Sequence, residues 1–194
     1  IDALGGQMGI NTDQTAIQVR ILNTAKGPAV QALRAQTDKR KYELTMMEVL
    51  KCQENLAVKQ GVVEDIILKD GKVAGVKMQT GIIYHAKKVV LTSGAYLRVR
   101  IFIGEVNYPG GPNASLPVNK LSENLMAKGL KMGKFETSTP PRIDGDTIDY
   151  SKLIEQKGEE GPLYFSFMSR DLKRPNISCW LTYTNLKTHQ IIKN

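Results

Sequence analysis

The dipeptide Asp70-Gly71 sits between two apolar-rich runs, Leu56 to Leu68 and Lys72 to Gln79. A two-residue hairpin turn requires positive φ at its centre, which Asp-Gly adopts at small cost, so the flanking runs are set to pair antiparallel. Val73 and Val76 supply apolar positions of the second run. Thr80-Gly81 turns the chain again, and Ile82 to Tyr84 makes a third strand. The expectation is a three-stranded antiparallel meander. After Lys87 and Lys88 comes Val89-Val90-Leu91, a short apolar run with polar bounds, the pattern of a buried strand. The meander is therefore expected to feed a strand of a larger sheet.

Elsewhere the period changes. Gly27-Pro28 reads as the opening of a long helix, since the N–H that Pro lacks at the first helical position has no partner there anyway. Tyr42, Met46, Val49 and Leu50 share one helical face, which carries the helix to the region of Cys52. Residues 1 to 26 hold short apolar pieces broken by Gly5, Gly6 and Gly9. Asn107 to Pro117, with Pro109-Gly110-Gly111-Pro112, reads as loop. Leu121 to Lys128 reads as a short helix with Gly129 as its stop. Thr139-Pro140-Pro141-Arg142 suits a hinge, and Asp149 to Gly161 is charged and expected to be exposed. Tyr164 to Met168 and Cys179 to Tyr183 have the composition of strands. The class is α+β.

The chain has 194 residues, room for one domain or for one and part of another. Its 41% hydrophobic and 24% charged content is that of a folded protein. The net charge of +8 favours a polyanionic partner, although a solvated basic surface carries the same charges. Two cysteines, Cys52 and Cys179, are too few for a disulfide framework, so a reduced, cytoplasmic setting is expected. No apolar run reaches the roughly 18 residues of a membrane helix. No signal peptide opens the chain, and the first residue is Ile1 rather than Met, as expected of a piece of a longer protein.

Candidate chemistry is sparse. Arg20, Lys26 and Arg34, followed by Lys39, Arg40 and Lys41, form a basic region that suits either phosphate binding or a solvated helix face. Arg98, Arg100, Arg170, Lys173 and Arg174 are secondary basic candidates. Tyr108, Tyr183 and Trp180 are able to stack on bases, with core packing the alternative for Trp180. His85 and His189 each stand alone, with no C-x-x-C or H-x-x-x-H, which argues against a metal. Cys179 as a nucleophile beside His189 lacks an orienting acid, so a buried structural cysteine is the reading adopted. Thr92-Ser93-Gly94 follows the apolar run directly, where small residues let backbone approach a ligand. Behind a hairpin meander, that pattern resembles the cofactor-contact strand of flavoproteins with two dinucleotide-binding domains. The pyrophosphate-binding GxGxxG is absent, and so is a Walker loop.

Several uncommon strings extend the resemblance. Ile1-Asp2-Ala3-Leu4-Gly5-Gly6, Arg20-Ile21-Leu22-Asn23, Lys26-Gly27-Pro28-Ala29-Val30 and Leu91-Thr92-Ser93-Gly94 occur in order. Thr139-Pro140-Pro141-Arg142, Thr147-Ile148-Asp149, Phe165-Ser166-Phe167 and Thr182-Tyr183-Thr184-Asn185 follow. Together they resemble the glucose-inhibited division protein A family. That resemblance implies a FAD-dependent enzyme using NADH. With a GTPase partner, it adds a carboxymethylaminomethyl group to carbon 5 of the wobble uridine of tRNA. The parent is implied to be a homodimer with no membrane attachment. Residues 1–140 would be the middle of a FAD-binding domain, and 141–194 the start of an inserted α/β domain. Carried over by position, Val63, Thr92, Ser93, Gly94 and Val118 are implied cofactor contacts. The family's important cysteines lie outside this segment, and neither Cys52 nor Cys179 matches them, so no catalytic residue is assigned.

Three positions depart from the family pattern. Val99 stands where glycine is usual, and Glu136-Thr137-Ser138-Thr139 where Lys-Thr-Gly-Thr is typical. A charge reversal at Glu136 weakens any phosphate contact made there, and Ser138 is strained wherever the backbone needs positive φ. Without the pyrophosphate anchor, the isolated segment is expected to be inactive and to hold FAD weakly or not at all. Two rival readings are a stand-alone basic RNA-binding module and a ligand-free assembly fragment.

Overall fold

The computed structural model describes every residue except Thr139, Pro141 and Asn194. In chain order the first elements are α1 (Gln7–Thr15), β1 (Ala16–Leu22), β2 (Ala32–Thr37), α2 (Lys39–Cys52), β3 (Val63–Lys69), β4 (Lys72–Met78) and β5 (Ile83–His85). There follow β6 (Arg100–Ile103), β7 (Val106–Pro109), α3 (Lys120–Ala127), β8 (Ile154–Gln156), β9 (Cys179–Leu181) and α4 (Leu186–Lys193). The strands form one three-stranded sheet, β3-β4-β5, and the pairs β1-β2, β6-β7 and β8-β9, every pairing antiparallel. The class is α+β. The chain divides into two compact units, Lys59–Thr139, and Ile1–Val58 together with Pro140–Asn194.

The Lys59–Thr139 unit is built on the meander. Asp70 and Gly71 have φ of 51° and 72°, the signs a two-residue hairpin demands, and they close the Lys69↔Lys72 pair. Gly75 is where β4 meets β5 most closely. A Cβ there would lie 2.2 Å from the Tyr84 carbonyl oxygen, and its φ of 157° also disfavours a side chain. Helix α3 packs against β3 with Leu121 and Leu125 buried, the two residues expected to share its inner face. Polar links hold the same contact: Asn124 Nδ2 donates to the Glu64 carbonyl at 2.7 Å, Lys120 reaches Glu64 at 3.0 Å and Lys128 reaches Asp65 at 2.5 Å.

Two expectations fail in this unit. Residues 107–109 are not loop: Val106–Pro109 pairs with Arg100–Ile103, because Gly104 at φ 57° supplies the turn. Pro109 is tolerated because it ends a strand of a two-stranded pair, where its missing N–H costs no ladder bond. Val89-Val90-Leu91 forms no strand, and Val90 is 84% exposed. A buried strand needs a neighbour on each side, and among the described residues none pairs with this run.

The other unit revises the reading further. Gly27-Pro28 opens only a single 3-10 turn, Pro28–Val30. The chain then extends as β2, in one register with β1 from Leu22↔Ala32 to Gln18↔Gln36, with a shift before Ala16↔Thr37. Its alternation, Leu33, Ala35 and Thr37 half-buried and Ala32, Arg34 and Gln36 exposed, is the period of a strand. Helix α2 starts at Lys39, where the Asp38 side chain accepts the amides of Arg40 and Lys41, each at 3.0 Å. Its Tyr42–Met46–Val49 face is half-buried and packs against α1, with Asn11 Nδ2 donating to the Tyr42 carbonyl at 3.1 Å.

Residues 1–26 are more ordered than their glycines imply, since α1 runs directly into β1. Ala16 and Val19 are buried on β1, and the returning chain adds to it through Ile177 N–H to the Ile17 carbonyl (2.9 Å) and Glu159 N–H to the Val19 carbonyl (2.8 Å). Tyr164 to Met168 is not a strand. The amides of Phe165 and Ser166 donate to the Asp13 carboxylate and that of Phe167 to Asp2, each at 3.0 Å, so carboxylates take the place of a strand partner.

Candidate binding sites

The basic region lies on the β1-β2 hairpin. Arg20 and Arg34 are directly opposed across the ladder, so their side chains leave the same face. Arg20 is half-buried and Arg34 exposed. Lys26 sits in the connecting loop, which is pinned from within. Asn23, at φ 60°, donates from Nδ2 to the Val30 carbonyl at 2.9 Å, and Lys26 N–H donates to the Asn23 carbonyl at 2.9 Å. Lys39, Arg40 and Lys41 occupy the first turn of α2, on the far side of Asp38 from β2. The charges on Arg20 and Arg34 are thus on a strand pair and not on a helix face.

The secondary candidates separate. Arg174 is not a surface cation. Its guanidinium reaches the fully buried Asp13 at 3.2 Å, donates to the Leu163 carbonyl and lies 5.2 Å from the Tyr164 ring centre. Asp13 escaped the sequence reading because an aspartate inside a weakly amphipathic helix has no local mark of burial. Arg100 is committed to Asn107, its Nε donating to Oδ1 at 3.1 Å. Trp180 is 40% exposed rather than core, resting edge-on against Tyr150 with ring centres 4.9 Å apart. Tyr108 and Tyr183 are exposed. Cys179 is half-buried, its thiol donating to Gln18 Oε1 at 3.3 Å, while His189 meets Thr184 at 3.0 Å. Among the described residues no cluster of three or more His, Cys, Asp or Glu is arranged to hold a metal.

The five positions carried over as cofactor contacts all fall in the Lys59–Thr139 unit. Val63 starts β3 opposite Met78. Val118 N–H donates to the Tyr96 carbonyl at 2.9 Å, and its own carbonyl accepts from Arg98 at 3.1 Å, so its backbone is already engaged. Thr92 and Gly94 are exposed and Ser93 half-buried, with Gly94 at φ 51°. Among the described residues these three make no hydrogen bond, which leaves main-chain and hydroxyl donors available to a ligand.

The model of the family described as glucose inhibited division protein A matches residues 1–194, the whole chain. The chain belongs to that family. The tRNA uridine 5-carboxymethylaminomethyl modification enzyme MnmG of Heliobacterium modesticaldum is 52% identical over 194 residues, covering 100% of this chain and 30% of the relative. The enzyme of the same name from Lactobacillus delbrueckii subsp. bulgaricus is 54% identical, covering 99% of this chain and 31% of the relative. The crystal structure of Aquifex aeolicus GidA superposes with a TM-score of 0.91 at 42% identity, over 99% of this chain and 33% of that one. The chain therefore spans about a third of the length of these relatives.

Of the departures from the family pattern, Val99 is half-buried and its carbonyl accepts from Gly110 at 3.3 Å. Ser138 is not among the described residues with positive φ, so its backbone carries no left-handed strain. Glu136 is exposed, and Thr139 lies outside the described residues.

Proposed function

We propose that this chain is the middle of a FAD- and NADH-dependent enzyme that adds a carboxymethylaminomethyl group to the wobble uridine of tRNA. In this reading the parent works in the cytoplasm as a homodimer with a GTPase partner. The reading rests on one observation: the match to an enzyme of that name, 52% identical, extends over the whole chain. No helix of the described residues is long and apolar enough to cross a membrane.

The residues present fit one edge of a flavin site. Thr92, Ser93 and Gly94 would meet the cofactor with unpaired backbone and hydroxyl groups. Val118, whose backbone is engaged, would touch it through its side chain alone, and Val63 would do so from the first position of β3. Bound FAD would supply the electron transfer. The pyrophosphate grip of a GxGxxG turn is not in this sequence. Residues 1–140 would belong to the FAD-binding domain, and 141–194 to the start of the inserted one.

The test is genetic and chemical. The full reading frame carrying this segment is expressed in a bacterium lacking its own wobble-uridine enzyme, and the tRNA nucleosides are read by mass spectrometry. Return of 5-carboxymethylaminomethyluridine is the expected outcome; an unmodified uridine from well-expressed protein refutes the proposal.

A further inference from the structure

The β1-β2 hairpin holds a charge arrangement that folding alone does not favour. Like charges directly opposed across an antiparallel pair destabilise it, yet Arg20 and Arg34 face each other in register. Neither makes an ion pair or side-chain hydrogen bond among the described residues. No acidic residue occurs from Gln14 to Thr37, and the next one, Asp38, spends its carboxylate on the amides of Arg40 and Lys41. The fold brings the Glu159 amide to the Val19 carbonyl at 2.8 Å, and Glu159 forms no ion pair with Arg20. Arg40 and Lys41 also stand at the start of a helix, where the dipole disfavours cations.

We infer that the opposed Arg20–Arg34 pair is a contact for the phosphate backbone of RNA, with Lys26 extending it around the hairpin loop. A phosphate between two guanidiniums turns their repulsion into attraction, and each planar fork matches its oxygens. Arg34 and Lys26 are exposed and the charge continues along the chain to Lys41, which suits a polyanion lying across a surface better than a single enclosed anion. The inference rests on the tRNA-modifying reading above and goes further by naming the residues that hold the backbone.

The experiment uses the full chain and labelled tRNA, with affinity measured over a series of salt concentrations. Wild type is expected to bind with a steep salt dependence. The double variant Arg20→Gln/Arg34→Gln should bind about tenfold more weakly or worse, with a salt slope shallower by about one for each arginine. Its melting temperature should hold or rise, because a repulsive pair has gone; a clear fall would assign the arginines a structural role and overturn the inference. Arg20→Lys/Arg34→Lys should keep the slope and lose affinity, since the charge stays and the fork goes. Lys87→Ala/Lys88→Ala removes the same charge from the other unit and should change little. Equal weakening by both double replacements would mean bulk charge rather than a site. Displacement of tRNA by NADH at equimolar concentration would give the pair to a dinucleotide phosphate instead. No tRNA binding by wild type would sink both this inference and the reading beneath it, whereas salt-steep binding left intact in the glutamine variant would sink this one alone.

Discussion

Asp13 gathers the amides of Phe165 and Ser166 and the guanidinium of Arg174 around one carboxylate with no exposed surface. It ties α1 to a segment some 150 residues further along. A buried ion pair is often no better than a well-packed apolar pair, but removing one partner leaves the other charge stranded. Arg174 already has a buried Nε without a partner, so it has little capacity to re-pair. Asp13→Ala should therefore cost about 3–5 kcal/mol, read as a lower urea midpoint. A shift below about 1 kcal/mol would mean that the segment around Phe165 is held by something else. Asp2 takes the neighbouring amide: the Ser166 hydroxyl and then the Phe167 amide hold its carboxyl below the ordinary 3.8. The two aspartates explain why Phe165-Ser166-Phe167, strand-like in composition, forms no strand and yet has all three of its amides held.

At the scale of elements, the Lys59–Thr139 unit depends on how closely β4 and β5 approach. Strand β5 is short, and it is joined to β4 through Gly75↔His85, Val76↔Tyr84 and Lys77↔Ile83. The Ala86 amide closes the far end of the pair on the Ala74 carbonyl at 3.0 Å. Gly75→Ala would drive a methyl group into the Tyr84 carbonyl and impose strain of about 1–3 kcal/mol from its backbone angle alone. The expected result is loss of hydrogen-exchange protection at Ala86 while the β3-β4 pair, closed by Asp70-Gly71, keeps its protection. Unchanged exchange at Ala86 would show that β5 does not need the close approach. The long helix expected from Gly27-Pro28 failed for an elemental reason as well. Pro pre-sets a helical φ at one residue, but six residues with alternating exposure gained a strand partner in β1, and that pairing outweighed the local preference.

Over the whole molecule, the exposed surface is the fact to explain. Among the described residues, only Ala16, Val19, Met78, Leu121 and Leu125 are buried apolar side chains, while Phe135 is fully exposed. Such surface suits a chain that spans about a third of its relatives' length. The proposed flavin edge follows the same logic. With one edge of donors and no pyrophosphate turn, the purified 194-residue chain mixed with FAD should leave the flavin free after gel filtration. A stoichiometric yellow complex would refute that expectation.

The meander, the inner face of α3 and the α+β class were readable in the amino-acid order, because each is written in local terms: a turn dipeptide, a spacing of four, a change of period. The basic residues Arg20, Lys26 and Arg34 were equally visible. Their opposition across a ladder was not, since it depends on which strand pairs with which. Tertiary structure alone decided that Ala32–Thr37 is extended, that Val89–Leu91 has no ladder, and that Asp13 and Arg174 are buried together. Each of these turns on a partner distant in the chain, and a residue's own neighbours carry no record of what a distant segment will bring to it.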